Sequence, residues 1–198
     1  AITRLEALDQ SEKHPDHSIL FIGSSSIRRW DEIAADMAPY HPIRRGFGGS
    51  RWWDVAIFAD RLIKPHKFRA LVCFVGNDIT GAKNDKSPEE VVALFVCVWK
   101  KARAHQPDAP IFYIAVTPTQ ARAAAWPKIR EANSAVRKFC MGKPNTHFIG
   151  TQSIYLDAKG KPRTELFVAD QLHLNRDGYL RWAAAIKSQL DTVLNAPT

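Results

Sequence analysis

Residues 19–30 read Ile-Leu-Phe-Ile-Gly-Ser-Ser-Ser-Ile-Arg-Arg-Trp. Four apolar residues run into one glycine and three serines, and a helical pattern follows. An apolar run of this kind suits a strand buried on both faces, as in a parallel sheet covered by helices. Serine ahead of a helix is ordinarily an N-cap. Yet the carboxyl end of a strand is also where an open α/β sheet binds its ligands. The same three hydroxyls therefore pose a question of fold and a question of chemistry.

Outward from this stretch the pattern repeats. Apolar, β-rich runs at residues 18–23, 42–47, 69–75, 109–116 and 146–150 alternate with segments of helical period at 26–37, 52–64, 88–105, 127–141 and about 176–194. Such alternation predicts a parallel sheet with helices on both faces. The third helix carries Val91, Val92, Phe95, Val96, Val98 and Trp99 as a broad apolar face. It opens on Ser87-Pro88-Glu89-Glu90, an N-cap followed by proline and acids that complement the helix dipole. Residues 151–170 form one long irregular stretch with Asp157, Gly160 and Pro162 as turn formers, and a loop of that length is usually functional or poorly ordered. No internal repeat or low-complexity segment interrupts the chain.

A length of 198 residues predicts a single domain over residues 1–198 with a full-sized core. Apolar residues at 45% and charged residues at 24% are the balance of a soluble globular chain. The longest apolar runs fall well short of the ~20 residues of a membrane span. No signal-peptide pattern is present, while a start at Ala1 rather than Met leaves room for a processed leader or a longer parent chain; the compartment and oligomeric state stay open. Cys73, Cys97 and Cys140 are an odd number at wide spacing, which favours free thiols over a disulfide framework. The net charge of +8 is spread in ones and twos, with no zinc-finger or RRM signature, so a solvated basic surface is expected rather than a nucleic-acid interface. The histidines other than His173, namely His14, His17, His41, His66, His105 and His147, show no HxxxH or HxH pairing, and no metal is expected.

The predicted strand ends collect chemistry. Ser24, Ser25 and Ser26 follow the first strand, the glycine-rich 46–51 segment the second, Gly76-Asn77-Asp78 the third and Thr117-Pro118-Thr119 the fourth, while Asp170 and His173 precede the last helix. A serine nucleophile needs a base, a group that orients the base, and donors for the developing oxyanion. His173 could be the base, with Asp170 within reach of its Nδ1–H; the Gly49 N–H and the Asn77 amide could be the donors. Each part also has a plain structural reading, as cap, tight turn, surface acid or satisfied histidine. Their joint occurrence on one rim is what favours chemistry.

In order and spacing, FIGSSSI, RRGFGGS, VGND and DQLHLN resemble the SGNH hydrolase superfamily, the GDSL-type esterases and lipases, over residues 23–175. The resemblance implies a three-layer α/β/α sandwich with a five-stranded parallel sheet of flavodoxin-like type. It implies Ser25 as nucleophile, Asp170 and His173 as its partners, and the Ser25 N–H, Gly49 and Asn77 as the oxyanion hole, with no cofactor. Two positions depart from the family pattern: Ser24 replaces the aspartate of Gly-Asp-Ser, and Val75 replaces the first glycine of Gly-x-Asn-Asp.

The implied activity is hydrolysis of small or short-acyl esters, because no long apolar insertion is present. Alternatives with the same machinery are a carbohydrate O-acetylesterase and a lysophospholipase or thioesterase; a non-catalytic binding module is a further class. For substrate contacts the candidates are Trp52 and Trp53 as a wall, with one of the pair expected to pack in the core instead, Trp126 as a second rim, Phe167 as an apolar lip or a loop anchor, and Arg51, for which solvation or an acid partner is favoured over an anionic substrate group.

Overall fold

The computed structural model describes residues 1–195. Strands β1 (Ile19–Gly23), β2 (Pro42–Gly46), β3 (Ala70–Phe74), β4 (Ile111–Ile114) and β5 (Thr146–Ile149) form one parallel sheet in the order β2-β1-β3-β4-β5. The helices are α1 (Ile2–Ser11), α2 (Ser25–Arg28), α3 (Ile33–Asp36), α4 (Trp52–Ile63), α5 (Pro88–His105), α6 (Trp126–Met141), α7 (Gln152–Tyr155) and α8 (Arg176–Leu194).

Alternation along the strands divides the core in two. Leu20 and Ile22 of β1 face a layer built from α1, α4, α5 and α6, while Ile19 and Phe21 face α2, α3, α7 and α8. The result is the expected three-layer α/β/α sandwich. β1 is an interior strand buried along its whole length, and its serine-bearing end opens beside β3, at the β1/β3 boundary where the strand order reverses. That switch point is where doubly wound sheets bind ligands.

Gly23 makes the exit from β1 possible. Its φ is +144°, and a Cβ there would sit 1.8 Å from the Phe74 carbonyl oxygen. No other residue fits without moving β3.

The α5 cap forms as read: Ser87 Oγ accepts from the Glu90 N–H at 3.1 Å and Glu90 accepts from the Ser87 N–H at 2.8 Å. Three other readings change. The helix expected over 26–37 is two short helices broken around Trp30, whose buried indole donates to Asp36 at 2.7 Å; this contact turns an acidic side chain inward. α1 was not expected; its Ile2 and Leu5 enter the core, and its Asp9 meets buried Arg45. The irregular 151–170 stretch contains α7, a 3₁₀ turn at Thr164–Leu166 and antiparallel bridges Leu156–Pro162 and Phe167–Leu174. It is anchored by Tyr155, whose buried hydroxyl donates to the Gly178 carbonyl at 2.8 Å.

Among the described residues no helix is long and apolar enough to cross a membrane, and no group of His, Cys, Asp or Glu side chains is arranged to hold a metal. All three cysteines are free.

Candidate active site

Ser25 is the first residue of α2, immediately after β1 and its glycine. Ser24 occupies the N-cap position but makes no side-chain cap bond, and its N–H donates to the Phe74 carbonyl at 3.0 Å. Ser26 accepts the Tyr179 hydroxyl on its carbonyl at 2.8 Å. Of the three hydroxyls, the Ser25 Oγ meets a base: it lies 2.9 Å from His173 Nε2.

The Asp-x-x-His segment is locally organised. Asp170 Oδ1 accepts the N–H groups of Leu172 and His173, each at 2.9 Å, while Oδ2 lies 2.6 Å from His173 Nδ1. Gln171 takes a left-handed φ of +52° to close this turn. A carboxylate can only accept, so the imidazole proton sits on Nδ1, and a neutral ring leaves Nε2 as acceptor for the Ser25 O–H. Partial burial alone would raise the Asp170 carboxyl, but the hydrogen bonds from His173 and Leu172 hold it down at about 2. Arg29 Nη1 stands 3.6 Å behind the same oxygen. Asn175 then caps α8, accepting from the Gly178 N–H at 3.0 Å, so the histidine turn is fixed to a long helix. Arg176, the next residue, makes a bidentate pair with buried Asp36 at 2.6 and 2.5 Å, tying the start of α8 to α3.

Opposite the histidine, Asn77 leaves β3 and donates from Nδ2 to the Ser50 carbonyl at 2.9 Å. Gly49 has φ +72° and open space around the position of a Cβ, and its N–H has no hydrogen-bond partner among the described residues. Ser25, as a helix-first residue, likewise has no intrahelical acceptor for its N–H. A cleft of about 380 Å³ lies beside Ser25, His173 and Asn77, walled by Ser24–Ser26, Phe74, Gly76, Asn77, Val116, Thr117, Thr119, Arg122 and 172–174; Gly49 is not among its walls.

The side chains considered for substrate contact do not line this cleft. Trp52 is fully buried, stacked on Tyr113 at 5.6 Å and edge-on to Phe95, because the inward face of α4 packs against the sheet. Phe167 is buried on Tyr155 at 5.8 Å and anchors its loop rather than lining the cleft. Trp53 is 58% exposed on α4, and Trp126 is half-buried against the core at the start of α6. Arg51 occupies the N-cap position of α4, with its backbone N–H on Asp54 at 2.8 Å. None of these five side chains is among the cleft walls.

Arg122 is the residue the sequence reading passed over. Three positions beyond the rim residue Thr119, it reaches back to the Gly76 carbonyl and to Asn77 Oδ1, the latter at 2.7 Å. Its only signal in sequence was that it lies close behind the fourth strand.

The model of the GDSL-like lipase/acylhydrolase family matches residues 8–181. No functionally curated relative matches the chain. Among solved structures, the fold is similar to a Streptococcus pneumonia protein named for platelet activating factor (TM-score 0.84, 19% identity, 96% of this chain and 90% of that one). It is similar also to a GDSL-like lipase from Bacteroides thetaiotaomicron (TM-score 0.80, 15% identity, 96% and 97%). A carbohydrate esterase of family 3 from Talaromyces cellulolyticus matches at TM-score 0.70 and 13% identity, over 92% of this chain and 100% of that one. At these identities the likeness is one of fold.

Proposed function

Because the chain belongs to the GDSL-like lipase/acylhydrolase family and is an ester hydrolase on that account, we propose that it cleaves small, short-acyl esters with Ser25 as nucleophile, His173 as general base and acid, and Asp170 as the group that orients the imidazole. The observation that carries this reading is the continuous relay Ser25 Oγ–His173 Nε2–His173 Nδ1–Asp170 Oδ2, at 2.9 and 2.6 Å.

In the first step the Ser25 oxygen bonds to the ester carbonyl carbon as its proton passes to Nε2. The carbonyl oxygen becomes an oxyanion facing the N–H groups of Ser25 and Gly49 and the second amide N–H of Asn77. Collapse breaks the bond to the leaving alcohol, which takes the proton from Nε2 and departs. A water then gives a proton to Nε2 and attacks the acyl-serine; collapse returns that proton to Ser25 and releases the acid. Asp170, held low, stays ionised throughout and stabilises the imidazolium in both steps.

The modest size of the cleft supports a short acyl group. A second reading, deacetylation of carbohydrate, is favoured by walls rich in hydroxyl, amide and guanidinium groups from Ser24–Ser26, Asn77, Thr117, Thr119 and Arg122. These suit a polyhydroxylated alcohol better than a lipid.

Hydrolysis of p-nitrophenyl acetate and butyrate by the wild type and by Ser25→Ala, Ser24→Ala and Ser26→Ala tests the assignment. Ser25→Ala is expected to lose about 10⁴-fold or more in kcat, with the circular dichroism spectrum unchanged. Both neighbouring variants are expected to keep most of their turnover. Equal rates in all four proteins would show that the nucleophile lies elsewhere. Acetylated xylose oligomers against long-chain esters then discriminate between the polar and lipid alcohols.

A further inference from the structure

We propose that Arg122 is a positioning residue for the oxyanion side of the cleft: its guanidinium fixes the orientation of the Asn77 amide and places a positive charge one hydrogen bond behind it. This rests on the serine-esterase reading above and assigns Arg122 a part in it.

The Asn77 amide is held at both ends. Its Oδ1 accepts from Arg122 Nη2 at 2.7 Å and its Nδ2 donates to the Ser50 carbonyl at 2.9 Å. A flipped amide would set NH₂ against the guanidinium and oxygen against a carbonyl, so one orientation survives. In that orientation the second Nδ2–H is left over for the cleft. The other arm of the fork, Nη1, donates to the carbonyl of Gly76, so the peptide leading into Asn77 is held by the same group. A bidentate grip of this kind needs a planar fork and is beyond a lysine ammonium.

The charge is not spent on an acid. Among the described residues no carboxylate lies within ion-pair distance of Arg122, although it is half-buried. Burial pulls its basicity below the ordinary arginine value, with the charges of Asp85 and Asp78 acting against that; a guanidinium still remains cationic at neutral pH. A charged donor to Oδ1 polarises the amide and strengthens the N–H on its far side. The effect grows as negative charge develops on the substrate oxygen, which is a transition-state interaction and not a ground-state one.

The backbone around Arg122 links the two halves of the site. The N–H of Ala121 donates to the Gln171 carbonyl at 3.1 Å, inside the Asp170–His173 turn, while the Arg122 N–H donates to the Thr119 carbonyl at 3.2 Å. Thus the segment that aims the guanidinium at Asn77 is registered directly against the histidine turn.

Steady-state hydrolysis of p-nitrophenyl acetate by Arg122→Met, Arg122→Lys, Asn77→Ala and the double variant Asn77→Ala/Arg122→Met is the test, with sites counted by phosphonate labelling of Ser25. Arg122→Met is expected to lose about 10²-fold in kcat per labelled site while KM moves little, the signature of a lost transition-state interaction. Arg122→Lys, which keeps the charge without the fork, falls between. In the double variant the loss is expected to match that of Asn77→Ala alone, since the arginine acts through the amide. Wild-type kcat in either Arg122 variant, a change confined to KM, or multiplicative losses in the double variant would each overturn the assignment. Arg122→Lys carries the kcat comparison if Arg122→Met does not fold. Loss of the esterase reading itself registers separately, as turnover that survives Ser25→Ala.

Discussion

Asp78 sits beside the proposed oxyanion donor and is buried, with only 3% of its surface exposed. Its carboxylate accepts the Trp52 N–H at the start of α4, at 3.2 and 3.1 Å, and so ties β3 to the end of the glycine loop. Burial pushes its carboxyl up to about 6, against the Trp52 N–H and the charge of Arg51, which pull it down. A folded value above the unfolded one means that the native chain holds this proton more tightly. The contribution is therefore full below about pH 4 and is lost as pH rises through about 6. Asp78→Asn carries no such proton. Compared with that variant, the wild type is expected to gain on the order of 2 kcal/mol in going from pH 7 to pH 4. Urea unfolding of both proteins across this range checks it; a stability difference that stays flat with pH counts against a buried, titrating Asp78.

At the scale of elements, the docking of α1 depends on a charge inside β2. The Arg45 side chain is 1% exposed; its Nε donates to Asp9 at 2.7 Å and its Nη2 lies 3.0 Å from Glu12. His66 Nε2 stands 3.1 Å from the same Asp9 carboxylate, and burial holds that imidazole below its ordinary value. Arg44, the preceding residue, pairs with Asp31 in solvent, where ion pairs contribute little. The two neighbouring arginines are thus not equivalent. Arg45→Met leaves Asp9 buried without its main counter-charge and is expected to cost about 3–5 kcal/mol, whereas Arg44→Met changes stability little. Thermal unfolding distinguishes the two, and an equal shift for both would show that α1 is held by its apolar residues alone.

For the molecule as a whole, the two core layers share one sheet, so neither layer can open without exposing strands of the other. The thiols report on this. Cys73 is in the sheet and Cys140 on the inner face of α6; burial raises both, Cys140 to about 12, while Cys97 is exposed on α5. A disulfide-exchange reagent is expected to titrate one thiol rapidly in the native chain and all three in denaturant. The two slow thiols should become reactive together as urea unfolds the protein. Separate transitions for Cys73 and Cys140 would mean that the α4–α6 layer opens independently of the sheet.

Features that depend on local pattern are legible along the chain. β1, β3 and β4 are legible as strands because a strand buried on both faces must be apolar throughout, and α5 starts at Pro88 because its capping box is written in consecutive residues. The candidate relay was legible for a similar reason: Ser25 is pinned to a strand end by Gly23, and Asp170 and His173 share one self-bonded turn. Tertiary structure decided what depends on partners far away in the chain. It broke the 26–37 helix, because the Trp30 indole and Arg176 draw Asp36 inward. It also decided that Trp52 and not Trp53 packs in the core, since the face of a helix that meets the sheet is set by packing. And it brought Arg122 to Asn77 across 45 residues, a contact to which no local spacing points. Periodicity records which side chains avoid water; it does not record which distant polar group each one meets.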